Sequence, residues 1–139
     1  MSVVVGYLAT PEGRTALEAA TLEAQNRSTR LVVVTSCQGA ERGEQGRLDE
    51  ERELDEVRSG LDKRGIAHEI RLVARSRDVA GDLITAAEES DGALIVIGLR
   101  RRSPVGKLIL GVNAQRILLG APCPVLAVKP ALVAELAME

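Results

Sequence analysis

Short apolar runs alternate along this chain with segments of helical periodicity, and this alternation is what most constrains the fold. Four runs are continuously apolar and rich in β-branched residues, as in strands that are covered on both faces. Strands joined by helices need crossover connections, so the pattern predicts an α/β fold with a doubly wound, five-stranded parallel sheet and right-handed crossovers. The predicted strands are Val3–Leu8, Leu31–Ser36, Ile66–Leu72, Ala93–Ile97 and Val125–Val128.

Capping residues and apolar spacing place four helices between these strands. Thr10 followed by Pro11 is typical of a helix start, and Asp78 can cap the third helix. The third strand alternates apolar and polar residues, which indicates an edge position. Residues 37–47 contain three glycines and no apolar period, so we expect a loop there. The helices are expected to carry Ala16, Leu17, Ala20, Leu22 and Ala24; Leu48, Leu54, Val57 and Leu61, ending at Gly65; Ala80, Leu83, Ile84 and Ala87; and Val112 to Leu119.

The length of 139 residues predicts one domain over 1–139, with 130–139 as a C-terminal tail. No apolar run is long enough to span a bilayer, and no secretory signal is visible at the start of the sequence. Cys37 and Cys123 lack metal-ligand spacing and are expected to be reduced. These observations favour a cytoplasmic location and no membrane association.

The distribution of charge is more informative than the formal net charge of -2. No acidic residue lies between Asp91 and Glu135, so we expect one positive pole that attracts phosphates or an acidic partner, or else a solvated cationic loop. Nucleic acid is not expected as a partner, because Tyr7 is the single aromatic residue and base stacking needs aromatic rings. The basic residues of the acid-free stretch are Arg100, Arg101, Arg102, Lys107, Arg116 and Lys129.

The ends of the first and fourth strands are the predicted ligand site, because open α/β sheets bind ligands beyond the carboxyl ends of strands at a switch point. There Gly98 opens into the arginine loop, and Gly111 stands just before the next helix, a pattern typical of anion and nucleotide sites. Arg101 is interpreted either as a phosphate clamp or as a plug. Tyr7 either lines this site or fills the core.

The chain resembles the universal stress protein family over essentially its whole length. Three stretches carry the resemblance: Ala93–Gly98, Arg102–Gly111 and Ala121–Val128. The resemblance implies a three-layer sandwich like that of the adenine nucleotide alpha hydrolases, with strand order 3-2-1-4-5. It also implies a homodimer that forms through the last strand, Val125–Val128.

The nucleotide motif of this family matches only in part. Gly98 and Gly111 fit its first and third glycines, but Arg101 stands at the second glycine and Val112 at the expected Ser or Thr. Leu8 occupies the position where family members that bind ATP usually carry an aspartate. Ser36 fits a position whose backbone meets adenine. The resemblance therefore implies a degenerate ATP-binding motif.

We accordingly expect a non-enzymatic stress-response protein that binds a ligand or partner, with weakened or lost ATP binding. The alternative is a module that binds AMP or ATP through its arginine-rich loop, and an anionic small molecule is the shared ligand class. An ATPase or adenylyl transferase would need an aspartate or metal site that the sequence does not show. His68 is interpreted as a surface or packed residue, Asp78 as a cap and Asp82 as a surface charge. The predicted site residues are Leu8, Ala9, Thr10, Ser36, Gly98, Arg100, Arg101, Gly111, Val112 and Asn113.

Overall fold

The computed structural model describes residues 1–36, 43–73, 78–100 and 111–130. Strands and helices alternate through these ranges as the apolar pattern predicts. The elements are β1 (Ser2–Gly6), α1 (Pro11–Asn26), β2 (Arg30–Ser36), α2 (Gly43–Lys63), β3 (His68–Val73), α3 (Val79–Glu89), β4 (Gly92–Gly98), α4 (Val112–Gly120) and β5 (Val125–Val128).

The five strands form one parallel sheet of order β3-β2-β1-β4-β5, which confirms the predicted fold class. The chain adds strands on one side of β1 and then crosses over to add β4 and β5 on the other side. The carboxyl ends of β1 and β4 therefore flank the switch point of the sheet. The alternating strand β3 lies at an edge, as expected.

Alternate residues of β1 face opposite helical layers, because side chains along a strand point to opposite faces. Val3 and Val5 pack in a core with α1 and α2, whereas Val4 packs in a second core with α3 and α4. Both cores are built from aliphatic side chains, with Tyr7 as the single aromatic contribution to the first. The sheet is thus the middle layer of three.

Alanine dominates the buried face of α1. Ala16, Ala20 and Ala24 are buried at intervals of four residues and face the sheet. The small side chains let the helix lie close to the strands. Leu22 does not belong to this face and is exposed, so its predicted place in the apolar stripe was wrong.

Several predicted boundaries also need correction. β1 ends at Gly6 rather than at Leu8, and β3 begins at His68 rather than at Ile66. Helix α2 begins at Gly43, so part of the predicted loop is helical, and residues 37–42 of that loop lie outside the described ranges. Leu48 and Leu72 are exposed instead of buried. The predicted stop of α2 is confirmed, since Gly65 has a φ of 68°.

Within the four described ranges, no helix has the length and apolar character needed to cross a membrane.

Candidate functional site

A cavity of 220 Å³, which we call the inner pocket, lies at the carboxyl ends of the strands on the α3 and α4 side of the sheet. Its wall is mostly aliphatic, with a few polar groups at its border. An enclosed apolar pocket with a small number of polar groups is typical of ligand sites. It is lined by Gly6, Tyr7, Leu8, Val34, Thr35, Ser36, Val73, Val79, Asp82, Leu83, Ile97, Gly98, Asn113, Ala114 and Ile117.

A second and more polar cavity of 520 Å³, which we call the outer cleft, lies between the first turns of α1 and α4. It also includes Arg100, just after β4. The two cavities form one continuous site, because five residues border both of them. The shared residues are Gly6, Leu8, Gly98, Asn113 and Ala114.

Backbone contacts hold the first turn of α1 against the strand ends. The Thr10 hydroxyl caps this helix and accepts a hydrogen bond from the Gly13 amide at 3.1 Å. A Cβ atom on Gly98 would lie 2.3 Å from the Glu12 carbonyl oxygen, and one on Gly13 would lie 1.9 Å from the Leu8 carbonyl oxygen. Since real Cβ atoms do not approach oxygen so closely, only glycine fits at both positions. The two glycines thus allow the first turn of α1 to pack closely against the strand ends at the outer cleft.

The first turn of α4 forms the opposite wall of the outer cleft. Gly111 is its N-cap residue and has no side chain with which to cap the helix amides. The first amide groups of a helix lack partners within the helix, and they carry the positive end of its dipole. Val112 is 73% exposed here, and Asn113 lies where the outer cleft meets the inner pocket. This wall can donate hydrogen bonds to an anion.

Helices α3 and α4 are joined by a charged contact beside the inner pocket. The Asp78 carboxylate accepts a hydrogen bond from the Gly81 amide at 3.0 Å and pairs with the Arg116 guanidinium at 2.7 Å. The Gly81 hydrogen bond and then Arg116 lower the pKa of Asp78. The predicted cap is confirmed, and Arg116 is engaged in this helix contact.

Asp82, one turn further along α3, is not the surface charge that we expected. It lines the inner pocket, and its Oδ2 atom is buried with no hydrogen-bond partner among the described residues. Buried polar atoms are nearly always paired in proteins, so such an oxygen is a feature that needs an explanation.

Tyr7 fulfils both of the roles proposed for it. Its ring is buried in the core beneath α1 and α2, and the residue is also among those that line the inner pocket. Its hydroxyl donates a hydrogen bond to the Glu53 carboxylate of α2, which lies 3.9 Å from the Arg14 guanidinium. Burial and then Glu53 raise the pKa of Tyr7 far above its usual value. The neutral phenol therefore ties the end of β1 to α2.

Comparison with known proteins decides the family. Residues 1–129 match the universal stress protein family. The chain belongs to this family. A universal stress protein of Mycolicibacterium smegmatis is 44% identical over 128 residues, which cover 92% of this chain and 97% of that relative.

Solved structures agree with this assignment. A universal stress protein of Archaeoglobus fulgidus has a TM-score of 0.71 and 34% identity, covering 91% of this chain and 97% of that one. The structure of the universal stress protein from the same organism in complex with dAMP has a TM-score of 0.67 and 29% identity, covering 91% and 96% of the two chains.

In this universal stress protein, most of the predicted site residues line the two cavities. Ala9 is exposed and does not line either of them, and Arg101 lies outside the described ranges. The residues that the structure brings to the site are Leu8, Thr10, Ser36, Gly98, Arg100, Gly111, Val112 and Asn113.

Sequence reasoning missed several residues that line the site. Glu12 and Gly13 line the outer cleft, and Asp82 lines the inner pocket. The predicted helix start at Thr10 contained the signal for the first two, because the first turn of a helix that follows β1 must lie at the same edge of the sheet. No local signal identified Asp82.

Proposed function

We propose that this universal stress protein is a non-enzymatic binding protein whose site takes an adenine nucleoside monophosphate and takes ATP more weakly. The observation that carries this proposal is the junction of an apolar inner pocket with a polar outer cleft at the switch point of the sheet. A base and a phosphate need these two environments side by side. The similarity to a universal stress protein in complex with dAMP supports the same ligand class.

The inner pocket suits the base. Buried aliphatic residues such as Val34, Leu83 and Ile97 form its wall, so a planar ring would lose apolar contact with water there. Ser36 borders the pocket at the end of β2, where the polar edge of a base would meet the end of the strand.

The outer cleft suits one phosphate better than three. Helix α4 directs its first amides to the cleft, and Arg100 adds a positive charge. Against this, Val112 offers no hydroxyl, and Glu12 places an acidic residue at the same cleft. Each additional phosphate adds negative charge and meets few additional donors among the described residues that line the cleft, so affinity should fall from AMP to ATP.

Calorimetry with AMP, dAMP, ATP and inorganic phosphate tests this proposal. We expect AMP and dAMP to bind more tightly than ATP, and phosphate alone to bind most weakly. Asn113→Ala should weaken AMP binding roughly 3- to 10-fold, the range expected for one lost hydrogen bond. Asn26→Ala, at the far end of α1, is the matched control and should bind as the unchanged protein does. Absence of heat with every nucleotide at millimolar concentration would overturn the proposal, and tighter binding of ATP would overturn the monophosphate preference.

Binding without turnover is the second part of the proposal. The described residues that line the two cavities include no histidine, cysteine or lysine, the side chains that most often serve as bases or nucleophiles near neutral pH. Incubation with ATP should release no phosphate above a blank without protein. Phosphate release that disappears in Asn113→Ala would show that this site is an enzyme.

We further propose a homodimer that forms through β5. This strand lies at the sheet edge, and edge strands present unpaired backbone groups that other chains can cover. Helix α4, which precedes this strand in the chain, carries Leu119, which is 90% exposed. Light scattering at micromolar concentration should give twice the chain mass, and Ala127→Glu on β5 should give a monomer. Leu22→Glu, on the exposed side of α1, is the control. A monomeric unchanged protein would contradict this proposal.

We also propose that the protein is cytoplasmic. The assignment rests on the family membership and on the sequence features above. Fractionation of cells that produce the protein, with a cytoplasmic marker enzyme as control, tests it directly. Recovery with the membranes or outside the cell would contradict it.

A further inference from the structure

The inner pocket and the outer cleft are joined by apolar side chains. The wall of the inner pocket is mostly aliphatic, and Leu8 and Ala114 border both cavities where they meet. Leu8 is 46% exposed, and Val112, which is 73% exposed, adds a further apolar side chain to the outer cleft. An aliphatic chain that runs from one cavity into the other would therefore remove apolar surface from water in the inner pocket and at this junction.

The charged residues of the two cavities give such a ligand a direction. Asp82 is the one charged residue among the described residues of the inner pocket, whereas Arg100 lines the outer cleft. The first turn of α4 also faces this cleft and has no side-chain cap. An anionic group is thus repelled from the inner pocket and attracted to the outer cleft. Because Glu12 shares the outer cleft, a head group with one negative charge is favoured over a head group with several.

We propose that the site takes a second class of ligand, a straight-chain aliphatic carboxylate, with its chain in the inner pocket and its carboxylate in the outer cleft. This inference goes beyond the proposed nucleotide binding and does not depend on it. The inner pocket of 220 Å³ has room for about seven groups the size of a water molecule, at about 30 Å³ each, and a methylene group is of similar size. A chain of about eight carbons therefore fills it. Since the two ligand classes use the same cavities, they compete with each other.

Calorimetry with butanoate, hexanoate, octanoate and decanoate, each below the concentration at which it forms micelles, tests the place of the chain. Affinity should rise roughly fourfold for each added methylene group up to about eight carbons, and little beyond that length. Octanoate should also lower the apparent affinity for AMP, whereas butanoate at the same concentration should have little effect. A chain that adsorbs to the protein surface would instead gain affinity steadily through decanoate and would leave AMP binding unchanged.

Leu8→Asp separates the two ligand classes, because it should act on them in opposite directions. A carboxylate at the junction repels the carboxylate of the ligand and interrupts the apolar path, so octanoate should bind at least about tenfold more weakly. The same variant is expected to bind AMP more tightly. Leu8→Asn interrupts the path without adding a charge and should weaken octanoate binding by less. Leu48→Asp, at an exposed leucine of α2, is the matched control and should leave both affinities unchanged.

The outcomes distinguish this inference from the proposed function. Equal affinities for butanoate and octanoate, full octanoate binding in Leu8→Asp, or simultaneous binding of octanoate and AMP would each overturn the inference and leave the nucleotide proposal standing. Octanoate binding with the expected dependence on chain length in a protein that takes no nucleotide would overturn the proposed function alone. If Leu8→Asp fails to fold, the dependence on chain length in the unchanged protein still decides.

Discussion

The inner pocket and the outer cleft are adjacent, but they are built by different means. Strand ends and buried side chains from two helices form the inner pocket, and its wall is part of the second core. Helix first turns and exposed side chains such as Val112 and Arg100 form the outer cleft. Substitutions in the first region change the core, whereas substitutions in the second change mainly the ligand contacts. Under the proposed function, substitutions in the outer cleft can therefore alter the phosphate contacts without disturbing the pocket proposed for the base.

The largest effect is expected where the two regions share a wall. Gly98→Ala places a methyl group against the Glu12 backbone, so it should lower the free energy of unfolding by about 1–3 kcal/mol and abolish nucleotide binding. Urea unfolding with calorimetry measures both quantities. Gly60→Ala is the control, because an added Cβ there meets no atom within 4 Å, and the helix should become more stable by about 0.5–1 kcal/mol. Equal free energies of unfolding for Gly98→Ala and Gly60→Ala would show that α1 does not pack closely against β4.

Restoring a carboxylate at the mouth of both cavities should give the next largest effect. Leu8 is 46% exposed and borders both the inner pocket and the outer cleft. Leu8→Asp should tighten AMP binding about tenfold, because a charged acceptor would face the sugar hydroxyl groups. Leu48→Asp, at a similarly exposed leucine of α2, should leave binding unchanged. An unchanged affinity in Leu8→Asp would mean that the sugar does not pass this residue.

The pH dependence of the free energy of unfolding tests the buried role of Tyr7, a residue of the inner pocket. Because its folded pKa is raised above the ordinary value of 10.0, the neutral phenol stabilises the fold fully below that value. This stability is lost as the pH rises above it, where the unfolded chain ionises first. Between about pH 9 and about pH 11, the unchanged protein should therefore lose about 1 kcal/mol more unfolding free energy than Tyr7→Phe. Parallel pH curves for the two proteins in urea unfolding would contradict the buried role of this hydroxyl.

The smallest effect is expected at Arg100, in the outer cleft. Arg100→Gln should weaken AMP binding roughly threefold at low salt, and this difference should shrink as salt screens the exposed charge. Calorimetry at two salt concentrations measures it, with Arg52→Gln on α2 as the control. A loss that persists at high salt would place Arg100 in a buried contact with the phosphate.

The strands and their parallel arrangement could be predicted because they depend on repeated, local signals, whereas the strand order was implied by the family resemblance alone. Each apolar run identified a strand, and the parallel topology then located the switch point. The predicted burial of Leu22 and Leu48 was wrong because apolar character alone does not determine on which side of a helix a residue lies. With Ala16, Ala20 and Ala24 setting the buried face of α1, a side chain at position 22 points to the opposite side, and Leu54, Val57 and Leu61 place Leu48 off the buried face of α2 in the same way.

The burial of Asp82 could not be predicted in this way. It lines the inner pocket together with residues from β1, β2 and α4, which are distant in sequence. On the helix alone it is simply an acidic residue in the first turn, a common and favourable position on any exposed helix. Only the packing of α3 against the strand ends turns it into part of a pocket.

The alanine face of α1 means that substitutions far from the site can change the width of the outer cleft. A helix behaves as a stiff rod, and the smallest side chains beneath it set its height above the sheet. Exchange of Ala20 or Ala24 for a larger residue would lift one end of that rod and tilt its first turn relative to Gly98. Substitution at residues that line neither cavity can thus change the width of the outer cleft.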